Sequence, residues 1–248
     1  VIGMKEGLIL GVIPARYGST RFPGKPLADI HGKPMIQRVW ERVTQSKEVD
    51  RWVVATDDSR IESAVLDFGG EVIMTSSDLA SGTDRCKAVL DILDYQPRWV
   101  INVQGDEPFI EIHQIDDLAK AMQDQSPDVG TLVKWNSSWA DFQNPNRVKC
   151  VRDIHGHALY FSRSPIPHSK GEQSFQGFWK HLGLYAYSAT FLKSLDTLHS
   201  SLLEKQESLE QLRWLDNGKK ILTLETQVET PCVDTPEDLA LILKGNIQ

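Results

Sequence analysis

Leu8-Ile9-Leu10-Gly11-Val12-Ile13-Pro14-Ala15-Arg16-Tyr17-Gly18-Ser19-Thr20-Arg21-Phe22-Pro23-Gly24-Lys25-Pro26-Leu27 runs from a short apolar stretch straight into glycine, proline, hydroxyl and basic residues. Residues 8–13 read as a buried strand, because a strand covered on both faces shows no polar alternation. The basic stretch then leaves the carboxyl end of that strand, which is where open α/β sheets bind ligands. Arg16, Arg21 and Lys25 bring positive charge, and the glycines let backbone N–H groups approach oxygens, so the composition suits a polyphosphate. A solvated turn with scattered basic residues is the plain alternative. Neither G-x-x-x-x-G-K-[ST] nor a G-x-G-x-x-G after the strand is present, so a P-loop NTPase and a dinucleotide dehydrogenase both lose support.

Outward from that loop, Met35, Ile36, Val39, Trp40 and Val43 recur at helical spacing over residues 34–43, with Pro34 suited to a first helical turn. Strands are predicted over 51–55, 71–74 and 99–104, separated by helices over 59–68, closed by Gly69-Gly70, and over 83–93. Strands that alternate with helices in this way predict an α/β fold, doubly wound about a mostly parallel sheet, because parallel strands need crossover connections. The second half is less regular. Residues 129–133, 148–152, 158–161 and 178–187 read as strands around a polar connection at 162–176, forming a smaller, partly antiparallel lobe over roughly 129–187. A helix is expected over 207–216, a strand over 221–225, and a last helix over 235–244 whose Thr235-Pro236-Glu237-Asp238 start offers a cap, a proline and acidic first-turn residues.

Composition bounds the function. A chain of 248 residues is read as one domain over 4–248, with Met4 as its start and the lobe inserted. No apolar run approaches the roughly 20 residues that span a bilayer, and residues 1–10 lack the basic region of a secretory signal, so neither is expected. The three cysteines are scattered and odd in number, which fits neither a disulfide framework nor a zinc site and points to a reducing cytoplasm. A net charge of -7 argues against nucleic-acid binding, which rests on many Lys/Arg contacts to phosphate.

Pro14-Ala15-Arg16 followed by Arg21-Phe22-Pro23-Gly24-Lys25-Pro26-Leu27 looks like the signature of nucleotidyltransferases that use CTP and acidic sugars. Further segments follow in order: Gly32-Lys33-Pro34-Met35-Ile36, Val54-Ala55-Thr56-Asp57-Asp58, Ser81-Gly82-Thr83-Asp84-Arg85, Asn102-Val103-Gln104-Gly105-Asp106-Glu107-Pro108, Tyr160-Phe161-Ser162-Arg163-Ser164-Pro165, His181-Leu182-Gly183, Glu210-Gln211-Leu212-Arg213 and Val233-Asp234-Thr235-Pro236. Together they resemble the CMP-Kdo synthetases (3-deoxy-manno-octulosonate cytidylyltransferases) over about residues 8–243. Asp84 departs from the Glu of many relatives, and residues 146–150 are also atypical.

That resemblance implies a fold of the nucleotide-diphospho-sugar transferase type. It also implies a reaction in which CTP and the eight-carbon acidic sugar Kdo give CMP-Kdo and pyrophosphate, for lipopolysaccharide synthesis. Pro14, Ala15, Arg16, Lys25, Ser81, Gly82, Thr83, Arg85 and Gln104 become candidates for the nucleotide, and Gln104, Arg163, His181, Tyr185, Glu210 and Gln211 for the sugar. Arg163 offers a planar fork suited to a carboxylate, with a structural ion pair as its alternative; His181 reads equally as a satisfied core histidine. Asp106, just past a strand end, and Asp234, before the last helix, are candidate Mg²⁺ ligands, and a helix cap or a solvated turn is the alternative for each. Arg16, Lys25, Asp106 and Asp234 are then the catalytic set, and a homodimer is implied. The rivals are a cytidylyltransferase for 8-amino-Kdo or a sialic acid, a non-catalytic nucleotide-sugar-binding homologue, and a glycosyltransferase. The last commonly carries D-x-D where this chain has Gly105-Asp106-Glu107-Pro108.

Overall fold

A computed structural model describes residues 7–18 and 21–245; Met4, expected as the start, and Ser19 and Thr20 of the basic loop lie outside the described residues. The chain forms two compact units, the first taking the chain up to Lys120 and again from Thr230, the second Ala121–Glu229. In chain order the first contains β1 (Ile9–Ala15), β2 (Asp29–Ile30), β3 (Lys33–Pro34), α1 (Met35–Val43), β4 (Arg51–Thr56), α2 (Ser59–Asp67), β5 (Val72–Met74), α3 (Gly82–Ile92), β6 (Trp99–Asn102) and the start of α4 (Ile112–Gln125). The second holds β7 (Val129–Asn136), α5 (Trp139–Gln143), β8 (Lys149–Arg152), β9 (Ala158–Ser162), β10 (Phe178–Ser188), α6 (Ala189–Ser194), α7 (Leu202–Glu207), α8 (Gln211–Asp216) and β11 (Ile221–Glu225); α9 (Pro236–Leu243) belongs to the first.

In the first unit β6, β1, β4 and β5 pair in parallel in that order, with Leu10 opposite Val100 and Ala15 opposite Thr56. The expected parallel α/β arrangement is what these residues form. Ile9, Leu10, Val12, Ile13, Val53, Val54, Val100 and Ile101 are wholly buried, each contributing roughly 1.5–3 kcal/mol of hydrophobic stabilisation. α1 buries Met35, Ile36, Val39 and Val43. Helix starts follow local chemistry. Asp58 caps α2 by accepting the Arg60 N–H. Ser81 and Asp84 form a reciprocal capping box at α3, so the shorter acid at position 84 still closes the box. Thr235 and Asp238 do the same for α9, as its sequence predicts.

In the second unit β10 runs antiparallel to β7 and β8, β8 antiparallel to β9, and β11 parallel to β7. The helix expected over 207–216 starts only at Gln211, as α8, because α7 runs ahead of it and ends at Glu207. Ser208 sits at φ 52°, a left-handed conformation that ends α7 and lets α8 begin at Gln211. α4 is absent from the sequence expectations, although Ile115, Leu118, Ala119 and Met122 recur at helical spacing and are fully buried. Among the described residues no helix is long and apolar enough to cross a membrane.

Candidate active site

The ends of β1 and β6 and the starts of α3 and α9 converge in the first unit. The β6 chain continues past Asn102 to Gly105, whose N–H donates to the Pro14 carbonyl at 3.2 Å. A Cβ at position 105 would lie 2.9 Å from that oxygen, so only glycine lets the two strand-end loops come together. Asp106 follows at once, and its carbonyl accepts the Val233 N–H at 3.0 Å, which ties the approach to α9 to the same turn. Ile30, Met35, Val233 and Ile242 form an apolar cluster, joined by Phe22, Ala28, Phe109 and Leu239, that anchors this approach beneath the basic loop.

The result is a cleft of about 240 Å³ lined by Pro14, Ala15, Arg16, Arg21, Lys25, Pro26, Leu79, Ala80, Ser81, Gly82, Arg85, Gln104, Gly105, Asp106 and Asp234. Lys25 Nζ is its centre of charge, donating to Asp106 Oδ2 at 2.5 Å and lying 3.7 Å from Asp234 Oδ1. Arg21 reaches the same Asp234 oxygen at 3.4 Å. Lys25 is only 13% exposed and Asp106 25%, so these charges attract with more than the ~1 kcal/mol of bulk water, nearer ~4 kcal/mol at 4 Å. The cap alternative for Asp234 fails on geometry. Thr235 is the cap, while the Asp234 carboxylate faces two cations. Arg85, 3% exposed, is held by Thr75 Oγ1 at 2.5 Å and Asp57 Oδ2 at 3.2 Å. Beside Asp106, burial and that neighbouring charge push the Glu107 carboxyl up to about 8.

Nine of the candidates for nucleotide, metal and catalysis in this unit, together with Gln104, therefore share one wall: Pro14, Ala15, Arg16, Lys25, Ser81, Gly82, Arg85, Asp106 and Asp234. Thr83 does not line it, because its place one residue into α3 turns it toward the core, 3% exposed. Leu79 and Ala80 line the cleft without having been candidates; their only sequence signal is that they lead into the Ser81 capping box. Arg21, one of the loop's cations, joins them as a site residue.

The remaining candidates lie in the second unit. His181 Nε2 is 3.0 Å from Thr131 Oγ1, and its ring packs on Phe161 and Tyr185. Loss of solvent there pushes the imidazole down to about 4, so it is neutral at physiological pH. Burial, with Glu210 and Cys150 nearby, raises the Tyr185 phenol well above its ordinary value. Glu210 receives Arg213 Nη2 at 3.1 Å, and Gln211 is buried at the start of α8. Arg163 is tied to backbone. Its Nε donates to the Glu207 carbonyl at 2.7 Å, Nη1 to Pro145 at 3.1 Å and Nη2 to Ser208 at 3.3 Å. With all three guanidinium nitrogens donating to backbone carbonyls, Arg163 fastens the α7–α8 corner to the Pro145 loop, and these bonds use three of its five N–H donors.

A parallel sheet whose strand ends hold a cation-rich cleft and two converging carboxylates defines a nucleotide-handling α/β protein, and residues 10–221 match the family described as cytidylyltransferase. A Porphyromonas gingivalis 3-deoxy-manno-octulosonate cytidylyltransferase is 49% identical over 239 residues, 93% of either chain. The Parabacteroides distasonis protein of the same name is 50% identical over 240 residues, 93% of this chain and 94% of its own. A solved structure of CMP:2-keto-3-deoxy-manno-octonic acid synthetase complexed with CTP superposes with a TM-score of 0.91 at 44% identity, covering 96% of this chain and 98% of that one. The chain belongs to the 3-deoxy-manno-octulosonate cytidylyltransferase family.

Proposed function

We propose that this protein transfers CMP from CTP to the anomeric hydroxyl of 3-deoxy-D-manno-octulosonate (Kdo), releasing pyrophosphate, as the names of its relatives imply. The observation that carries this reading is Lys25 Nζ shared between Asp106 and Asp234 inside a cleft that also holds Arg16, Arg21 and Arg85. Lys25, Arg16 and Arg21 neutralise the triphosphate, and Lys25 and Arg16 stabilise the charge that grows on the phosphate oxygens during transfer. The sugar oxygen forms its bond to the α-phosphorus as the bond to pyrophosphate breaks, so no protein nucleophile is needed. Gln104 and the backbone around Ser81 and Gly82 present polar groups to the base, as selection of cytosine requires.

Asp106 and Asp234 are a fitting pair for Mg²⁺. They already converge on one cation, and they are hard oxygen donors. Mg²⁺ commonly takes one or two carboxylates and completes its shell with phosphate and water. When bound, Mg²⁺ supplies charge neutralisation at the phosphates and lowers the pKa of a coordinated hydroxyl. For the sugar, His181, Tyr185, Glu210 and Gln211 are the proposed hydroxyl partners.

A homodimer is proposed with contacts from the 129–187 segment, where Trp135, Ile154 and Leu159 are exposed; a monomeric solution mass at micromolar concentration would count against it. The three free thiols Cys86, Cys150 and Cys232 support a reducing cytoplasm. The deciding experiment is incubation with CTP, Mg²⁺ and a panel of eight- and nine-carbon sugar acids, measuring product mass and pyrophosphate. CMP-Kdo should form fastest; no CMP conjugate with any acid would end the proposal.

A further inference from the structure

The loop that bears Arg16 and Lys25 must be held in place; Lys25 is tied to Asp106 and, by its N–H, to the Phe22 carbonyl at 3.2 Å, whereas Arg16 is exposed. Further anchoring comes from residues off the cleft wall. Gly24 N–H donates to the Tyr17 carbonyl at 3.0 Å, tying the residue after Arg16 to the residue before Lys25. Gly24 has φ +71°, and a Cβ there would stand 3.1 Å from Cε2, Cζ and Oη of Tyr17, so the phenolic end of the ring lies directly against the Gly24 backbone. Over the face of the same ring sits Arg60, its guanidinium carbon 3.3 Å from the centroid.

Arg60 is in turn fixed as a fork. Nε donates to Asp58 Oδ1 at 2.9 Å and Nη2 to Asp58 Oδ2 at 2.6 Å, while Asp58 also caps α2. With its charge matched by Asp58, Arg60 acts as a planar plate for an aromatic ring rather than as a phosphate ligand, a role that lysine's point charge fills poorly. The connection is also well placed in the sheet. Ala15, where the loop departs, is the register partner of Thr56, from which the chain turns into Asp58 and α2. The loops leaving two neighbouring strand ends are thus stapled to each other through Arg60 and Tyr17.

We propose that Tyr17, Arg60 and Asp58 are positioning residues that hold Arg16 and Lys25 in their nucleotide-binding positions, with Gly24 as the bearing surface for the ring. This rests on the cleft being the CTP site. A displacement of about 1 Å in a charged loop is enough to lower turnover about a hundredfold, so the staple is expected to matter although none of its members touches the cleft.

The test compares Tyr17→Leu, Tyr17→Phe and Arg60→Ala with the parent in full-length protein. Tyr17→Leu and Arg60→Ala should lower kcat/KM for CTP about tenfold or more, leave the KM for Kdo within about twofold, and shift the melting temperature by less than about 4 °C, as for a surface change of about 1 kcal/mol or less. Tyr17→Phe keeps the ring and should retain parental kinetics. The same two disruptive variants should be cut faster by trypsin at Arg16 and Arg21 without CTP, a readout independent of catalysis. Parental kcat/KM and parental proteolysis in Tyr17→Leu and Arg60→Ala would overturn the staple, as would a Tyr17→Phe as impaired as Tyr17→Leu. If the parent itself released no pyrophosphate from CTP with any sugar acid, the CTP assignment would fall instead, and faster proteolysis would still report the staple.

Discussion

Replacing Arg163 by alanine tests whether that side chain serves the fold or the sugar. Its Nε bond to the Glu207 carbonyl, at 2.7 Å and half-buried, is a charge-assisted hydrogen bond worth about 1.5–3 kcal/mol. The Nη1 and Nη2 bonds are longer and exposed, so water replaces them and they add only a few tenths of a kcal/mol. The neighbours remain tied without it. Lys149 Nζ donates to the carbonyls of Asn144 and Arg163, and Glu207 accepts from Ser162 Oγ and the Arg163 N–H, none of which needs the guanidinium. The loss is therefore about 2–3 kcal/mol, which for a chain of this length lowers the melting temperature by about 5–10 °C. Arg163→Lys keeps the charge but reaches one carbonyl at most, so it should fall between alanine and the parent. Thermal melts followed by absorbance or circular dichroism, alongside steady-state kinetics with CTP and Kdo, separate the two roles. A parental melting temperature with a KM for Kdo raised more than about tenfold would refute the structural reading and return the fork to the sugar carboxylate.

Asp106→Asn removes one of the two charges around Lys25 and should abolish Mg²⁺-dependent turnover with the fold intact by circular dichroism; near-normal activity would remove Asp106 from the proposed metal site. CTP should be preferred over UTP by about a hundredfold or more in kcat/KM, because a mismatched base edge leaves buried polar groups unpaired; equal values would remove the cytosine pocket. For His181 the folded imidazole titrates at about 4 against an ordinary 6.5. The unfolded chain thus takes up a proton first as pH falls, so this residue's stabilising effect is complete above about pH 6.5 and is lost between there and about 4. His181→Gln should show a smaller drop in denaturation midpoint from pH 7 to pH 5 than the parent, and an identical drop would mean that the imidazole stays solvated.

Much of this protein is legible from local sequence, because the forces concerned act over a few residues. The apolar run before Pro14 has no choice but a covered strand, Asp58, Ser81 and Thr235 stand where helix starts need oxygen acceptors, and the basic loop announces its charge in its composition. Resemblance of ordered motifs then carried the activity further than any single residue does. Other features depend on partners distant in the chain. Asp234 reads locally as a cap, and only the Val233 N–H to Asp106 carbonyl bond and the apolar cluster under α9 turn its carboxylate to Lys25. Arg163 reads as an open fork until the left-handed turn at Ser208 brings the Glu207 and Ser208 carbonyls, and the α5–β8 connection the Pro145 carbonyl, onto its nitrogens. Tyr17 and Arg60 carry no motif at all, since a ring and a guanidinium meet only because Ala15 and Thr56 are neighbours in a parallel sheet. Which polar side chains are free to meet a substrate and which are already satisfied by backbone is set by hydrogen bonds between residues far apart in sequence, and that accounting exists only once the chain has folded.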